Sequence, residues 1–220
     1  MPTLAASGAV LLALGVGQVA QAATFTVFNT GVANDSSVLA DGSVDSHYTI
    51  IASVVGPSNA FAVAANPDWI PNSSTSKWIG PTPDAGSAGI PGGNFTYRTT
   101  FDLSGLNPTT AVLQGNFASD NTTTDILING ISTGITNPSE QFSSFTPFSI
   151  TSGFANGINT LDFVVTEEGG TPSGLRTEFT QATASTAVPE PSSALGTLAL
   201  GILGAGYLLK SKTDLHRRLK

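Results

Sequence analysis

The chain has 220 residues, no cysteine and a formal charge of −7. Without cysteine, disulfide staples, thiolate metal sites and a cysteine nucleophile are all excluded, so stability has to come from a packed core. Between residues 23 and 187 thirteen acids face three bases, a net −10 that repels phosphate backbones and argues against nucleic acid as a partner.

Residues 4–20 are apolar and small, and they run into Ala20-Gln21-Ala22, an A-x-A-like processing site. This pattern predicts a secretory signal helix over residues 1–22. The first base in the sequence is Lys77, so the positive charge that usually opens such a signal is missing, and we expect a translation start upstream of Met1.

From residue 23 onward no helical period is sustained. Short alternating runs are separated by Gly, Pro, Asn, Asp and Ser, the pattern of an all-β fold. Strands are expected at 24–28, 47–55 and 61–65. Residues 68–93 then form the longest surface loop, rich in Pro, Gly and Ser and carrying both tryptophans, Trp69 and Trp78. The clearest strand is 95–103, with Phe95, Tyr97, Thr99, Phe101 and Leu103 on one face and Thr96, Arg98, Thr100 and Asp102 on the other. Residues 111–119 follow. Next comes a hairpin, Asp125-Ile126-Leu127-Ile128 turning at Asn129-Gly130 into Ile131, because Asn-Gly supplies the positive-φ pair of a type I′ turn. Residues 145–150, 159–166 and 175–180 complete a set of eight or nine strands, best accommodated by a two-sheet jelly roll or β-sandwich over residues 23–180. Residues 181–187, all Gln-free Thr, Ala and Ser after Gln181, read as a flexible linker.

Few parts for catalysis are present, and we expect no enzyme. His47 is the single histidine before the C-terminal tail, and no Gly-x-Ser-x-Gly elbow occurs. One histidine without cysteine cannot hold zinc. Paired carboxylates for glycoside hydrolysis remain an alternative, since thirteen acids are available. Two loops gather hard oxygen ligands, Asp41 with Asp45, and Asp120 with Asn121 and Asp125. Either a structural calcium ion or plain turn chemistry explains them. For a ligand, Trp69 and Trp78 offer stacking platforms for sugar rings or, alternatively, core packing. Arg98 and Arg176 offer grips for a ligand or, alternatively, partners for Asp102 and Glu178.

The C-terminus has three parts in order: Val188-Pro189-Glu190-Pro191, an uncharged run over residues 192–209, and a tail over 210–220 with Lys210, Lys212, Arg217, Arg218 and Lys220. As a helix, the 18-residue run spans roughly 27 Å, one hydrocarbon core. The basic cluster keeps the tail cytoplasmic and the preceding region outside. This order, with Pro189, Glu190 and Pro191 as the motif, resembles a PEP-CTERM sorting segment over residues 188–220. The resemblance implies an exosortase-type enzyme as partner, cleavage near the Pro-Glu-Pro, and a cell-envelope or extracellular destination alongside polysaccharide production. The tail departs from the pattern in its length and in His216.

A second resemblance covers residues 95–179. Tyr97-Arg98-Thr99-Thr100-Phe101-Asp102-Leu103, Ala118-Ser119-Asp120-Asn121, Ile128-Asn129-Gly130 and Gly157-Ile158-Asn159-Thr160-Leu161-Asp162-Phe163 resemble galactose-binding-like jelly rolls, which implies a sugar-binding surface domain. The resulting expectation is an exported, membrane-sorted, non-catalytic β-sandwich that binds extracellular polysaccharide or matrix. Its alternatives are a purely structural surface protein and a glycoside hydrolase.

Overall fold

Alternation of apolar and polar residues fixes which face of a strand turns inward, and β5 (Gly93–Asp102) follows that pattern along its whole length. A computed structural model describes residues 19–137 and 141–188. Over them run β1 (Ala22–Thr24), β2 (Val44–Ala52), β3 (Ser58–Ala62), β4 (Ile79–Gly80), β5 (Gly93–Asp102) and β6 (Leu106–Asp120). They continue as β7 (Thr122–Ile128), β8 (Ile131–Ser132), β9 (Thr146–Ile150), β10 (Ile158–Glu167) and β11 (Gly174–Thr186). Every pairing is antiparallel, in the order β8-β7-β10-β5-β2-β3-β4-β11-β6-β9, with β1 added to β11. Residues 21–187 form one compact unit.

The path curls so that its two flanks face each other. Phe163 of β10 meets Phe117 of β6 and Phe148 of β9 at ring-centroid distances of 6.0 and 6.1 Å, although these strands lie far apart along the path. Two-residue β4 bridges the flanks by pairing with β3 on one side and β11 on the other. Between them lie Phe95, Tyr97 and Leu103 of the β5 strip, Ile126 of β7, Leu161, Phe163 and Val165 of β10, and Leu113 and Phe117 of β6, all buried. Each such side chain contributes about 1.5–3 kcal/mol by leaving water. The all-β antiparallel fold is what the period-two pattern specified; in place of two separate sheets, one continuous path curls face to face among the described residues, as in a sandwich.

The hairpin forms where Asn-Gly predicts it. Asn129 and Gly130 take φ values of 52° and 77°, the left-handed pair that a type I′ turn requires. The Asn129 side chain adds to the turn, accepting a hydrogen bond from Thr160 N at 3.0 Å and donating to Gly153 O at 2.9 Å.

Residues 181–187 are not a linker. Strand β11 continues to Thr186, flanked by β6 on one side and β1 on the other, and Ala187 N donates to Gly105 O. The inward alternation of Leu175 and Thr177 breaks near Thr180 because the register against β6 jumps between Phe179 and Gln181. This bulge moves the inward positions to Ala182 and Ala184. Threonine-rich sequence with two strands to pair against is strand, whatever its look as a spacer. At the other end the sheet begins at Ala22, and Gln21 O accepts from Thr186 N, so cleavage after Ala22 would cut into β1. The expected strand over 24–28 is reduced to Thr24 at its start. Residues 1–18, Pro189, Glu190, Pro191, the apolar run 192–209 and the basic tail lie outside the described residues. Among the described residues no helix is long and apolar enough to cross a membrane.

Candidate functional site

An open cleft of 290 Å³ lies where three segments meet: the turn leading into β2, the exit of β3, and the loop 81–88. Its floor and walls are Val63, Ala64, Ala65, Pro67 and Pro83, and its edges carry Asp41 and Asp84. The loop is held by its own sequence. Pro81 and Pro83 limit its backbone, and Asp84 O accepts from Ser87 N and Ala88 N at 2.8 and 2.9 Å. Gly86 lies so close to the β3 exit that a Cβ there would stand 2.1 Å from Ala64 O. Asn66 ties the two walls together, donating to Gly86 O at 3.1 Å while its Oδ1 accepts from Asp68 N.

The two carboxylates differ in setting. Asp41, with its side chain 56% exposed, pairs through Oδ1 with Lys77 Nζ, which also donates to Leu39 O at 3.0 Å. Asp84 accepts from Thr82 Oγ1 at 2.8 Å through Oδ1 and faces solvent. Exposed carboxylates above an apolar floor accept hydrogen bonds from vicinal hydroxyls, while aliphatic and proline surface receives the C–H face of a ring.

The residues singled out from sequence lie elsewhere, Asp41 excepted. Trp69 and Trp78 are both buried and pack on each other, ring centroids 4.3 Å apart. Their indole N–H groups donate to Asp120 Oδ2 at 2.7 Å and Ile70 O at 2.8 Å. Neither is a surface platform: residues 68–80 fold over the sheet and carry the rings inward. Arg176 is 2% exposed. Its guanidinium donates to Ser76 Oγ at 2.7 Å, to Ser73 Oγ and Glu178 Oε1 at 2.9 Å each and to Pro71 O, and it sits 5.1 Å from the Phe145 ring centroid. Burial draws its pKa down, and the Glu178 charge opposes this. Arg98 forms a two-pronged pair with Asp162, at 2.6 Å for each bond, across the β5–β10 register rather than with Asp102. That bond pushes the Arg98 pKa up. Both arginines are thus occupied by the protein itself.

The loop acids sit in different settings. Asp45 is buried and accepts from Gly31 N at 2.7 Å and His47 N at 2.8 Å, and burial raises its pKa. Asp120 accepts from Trp69, Asn121 Oδ1 accepts from Glu168 N at 3.1 Å, and Asp125 lies in β7. Among the described residues no group of three or more His, Cys, Asp or Glu side chains could hold a metal ion. Asp45 and Asn121 thus bond backbone amides and Asp120 holds the Trp69 indole, while Asp125 Oδ1 is buried without a hydrogen-bond partner among the described residues. His47 stacks flat on Phe28 with centroids 3.6 Å apart.

Asp84, Asn66 and Pro83 are the functional candidates that sequence reading passed over. The one local signal was Pro81-Thr82-Pro83-Asp84, a stiff turn ending in an acid. A second carboxylate, Glu167, is buried at the end of β10. Its Oε1 accepts from Gly169 N and Thr171 Oγ1 at 2.9 and 2.7 Å, while its Oε2 and the buried Tyr97 hydroxyl lack a hydrogen-bond partner. Burial, with the Glu167 charge adding, holds the Tyr97 phenol far above its ordinary range.

No family profile matches this chain, and no curated protein does. Among solved structures it is similar to CBM35 from Paenibacillus barcinonensis at 16% identity, covering 62% of this chain and 94% of that one, with a TM-score of 0.35. So loose a superposition leaves fold and site to rest on the strands and side chains described above.

Proposed function

We propose that this is an exported, non-catalytic jelly-roll domain that binds neutral extracellular polysaccharide in the cleft between Asp41 and Asp84. The observation that carries the reading is the cleft itself, with hydrogen-bond acceptors on its edges over an apolar floor of Val63, Ala64, Ala65, Pro67 and Pro83. At 290 Å³ it is near the lower end of small-ligand sites, about 300 Å³, and its size suits one or two sugar rings of a longer chain. The net −10 of residues 23–187 disfavours polyanions and leaves neutral polymers as the fitting class. Asp162 is held in an ion pair and Asp45 and Asp120 in hydrogen bonds, which supports a binding role over hydrolysis. Export by a signal over residues 1–22, and envelope sorting through Pro189, Glu190, Pro191 and the apolar run with an exosortase-type partner, remain parts of the proposal that rest on sequence.

Binding of soluble neutral glucans, galactans and xylans, measured by affinity electrophoresis, tests this reading. Retardation lost in Asp84→Ala is the expected result. Equal mobility of wild type and variant in every gel would refute the cleft assignment, and release of reducing ends would replace binding with hydrolysis.

A further inference from the structure

Charge is distributed unevenly over this domain. The segments 104–110, 129–137, 151–160 and 182–187 contain no charged residue, although residues 23–187 carry a net −10. Hydrogen bonds place 103–105, 129–131, 153–160 and 186–187 at one end of the sandwich, while the far part of 129–137 returns along β7 to Thr123. Ala187 N donates to Gly105 O, Leu103 N to Gly157 O and Asn129 N to Thr160 O, while Asn129 Nδ2 donates to Gly153 O. Ile131 and Ile158 stand at this end, 62% and 66% exposed. Beside Ile131 opens a groove of 240 Å³ lined by Ile128, Ile131, Ile135 and Ile150 together with serine and threonine hydroxyls, with no charged residue in its lining. Asp102, paired opposite Ile158, marks the margin.

We propose that this uncharged end rests on a lipid bilayer, with Ile131 and Ile158 entering the boundary between headgroups and acyl chains. The occupant follows from where the chain continues. Strand β11 runs to Thr186, so the ordered sheet ends five residues of sequence before the uncharged run begins. Residues 188–191 alone stand between Ala187 and the uncharged 18-residue run, a reach of roughly 17 Å at full extension. Apart from Asp102, across the strand from Ile158, these segments carry no carboxylate and so meet less of the repulsion that the acidic remainder meets at an anionic leaflet. Exposed isoleucines over a hydroxyl-rich groove match the apolar-to-polar gradient of that boundary. This inference rests on the reading of residues 192–209 as a membrane helix and is independent of polysaccharide binding in the cleft.

The chain has no cysteine, so single labels are unambiguous. Full-length Ile131→Cys, Ile158→Cys and, at the opposite end, Val55→Cys proteins, each carrying an environment-sensitive dye, are reconstituted into phosphatidylcholine–phosphatidylglycerol vesicles containing spin-labelled lipid. Blue-shifted and quenched emission at 131 and 158, with neither change at 55, is the expected result. Adding Ile158→Glu to the Ile131→Cys protein should relieve the quenching while the protein still floats with the vesicles. Flotation with emission at 131 and 158 equal to that at 55 overturns the docking and leaves the anchor standing. Loss of flotation overturns both, without touching the cleft. Energy transfer between proteins in place of lipid quenching would assign this end to a second copy and overturn the proposal.

Discussion

Replacing Arg176 by methionine removes the one cation that ties the segment 70–76 to the sheet. The guanidinium serves Ser76, Ser73, Pro71 and Glu178 at once and is itself 2% exposed. Methionine keeps most of the apolar stem but leaves those acceptors without their donor. Breaking a buried pair from one side costs about 3–5 kcal/mol. Here the remaining Glu178 is 26% exposed and keeps the Ser76 hydroxyl at 2.7 Å, which puts the cost near the lower bound, about 3 kcal/mol. For a domain of this size that corresponds to a drop of about 6–12 °C in Tm. Urea unfolding followed by tryptophan emission reads the effect directly, because Trp69 and Trp78 lie in the adjoining loop. Removing Glu178 as well, in Arg176→Met/Glu178→Met, should recover at least about 0.5 kcal/mol of coupling. A single variant within about 0.5 kcal/mol of wild type, the size of an ordinary surface change, or strict additivity of the two, would refute the clamp.

Three further outcomes follow from the same geometry. Burial works to raise the Glu178 pKa, but the Ser76 hydroxyl, the Arg176 charge and Thr75 outweigh it and hold it below the ordinary 4.5. The stability it supplies is therefore present above 4.5 and lost as pH falls through the lower folded value, so Glu178→Gln should lose stability at neutral pH and approach wild type in acid. Asp45, raised by burial, acts with the opposite sign: its contribution is present below 3.8 and lost as pH rises through the folded value. A stability–pH curve on which Glu178→Gln and wild type stay parallel would contradict this. Tyr97→Phe removes a buried hydroxyl without a partner and should leave the melting midpoint unchanged or raise stability by about 1 kcal/mol. A loss of that size would mean that the hydroxyl holds a bound water. Gly86→Ala places a methyl against Ala64 O, so the loop 81–88 must move. Polysaccharide retardation should disappear while the circular dichroism spectrum stays that of a β protein.

Strand positions were legible because alternation reports which residues face the core, and β5 and β10 obey it along their length. What alternation cannot report is whether the other face meets water. Arg176 does point away from the sandwich interior, yet the segment 70–76 lies over that face and buries it. Asp162, on an outward position of β10, is buried beneath Arg98. Trp69 sat in a Pro- and Gly-rich stretch that looked like an exposed loop, and its partner Asp120 is 51 positions away. No local pattern encodes a contact at that separation. The end of β11 was missed for a different reason, since the bulge at Thr180 interrupts the period that would have marked it. The cleft escaped notice because its walls come from three segments that only the fold brings together.

The central claim is that a neutral sugar chain occupies the cleft edged by Asp41 and Asp84. Backbone amide shifts of the isotope-labelled protein, titrated with neutral gluco-, galacto- and xylo-oligosaccharides, test it most directly. Saturable shifts confined to Asp41, Ala64, Asn66, Asp84 and Ser87 are the predicted result. Shifts clustered instead around Ile131 and Ser149, or none with any of the three sugars, would contradict it.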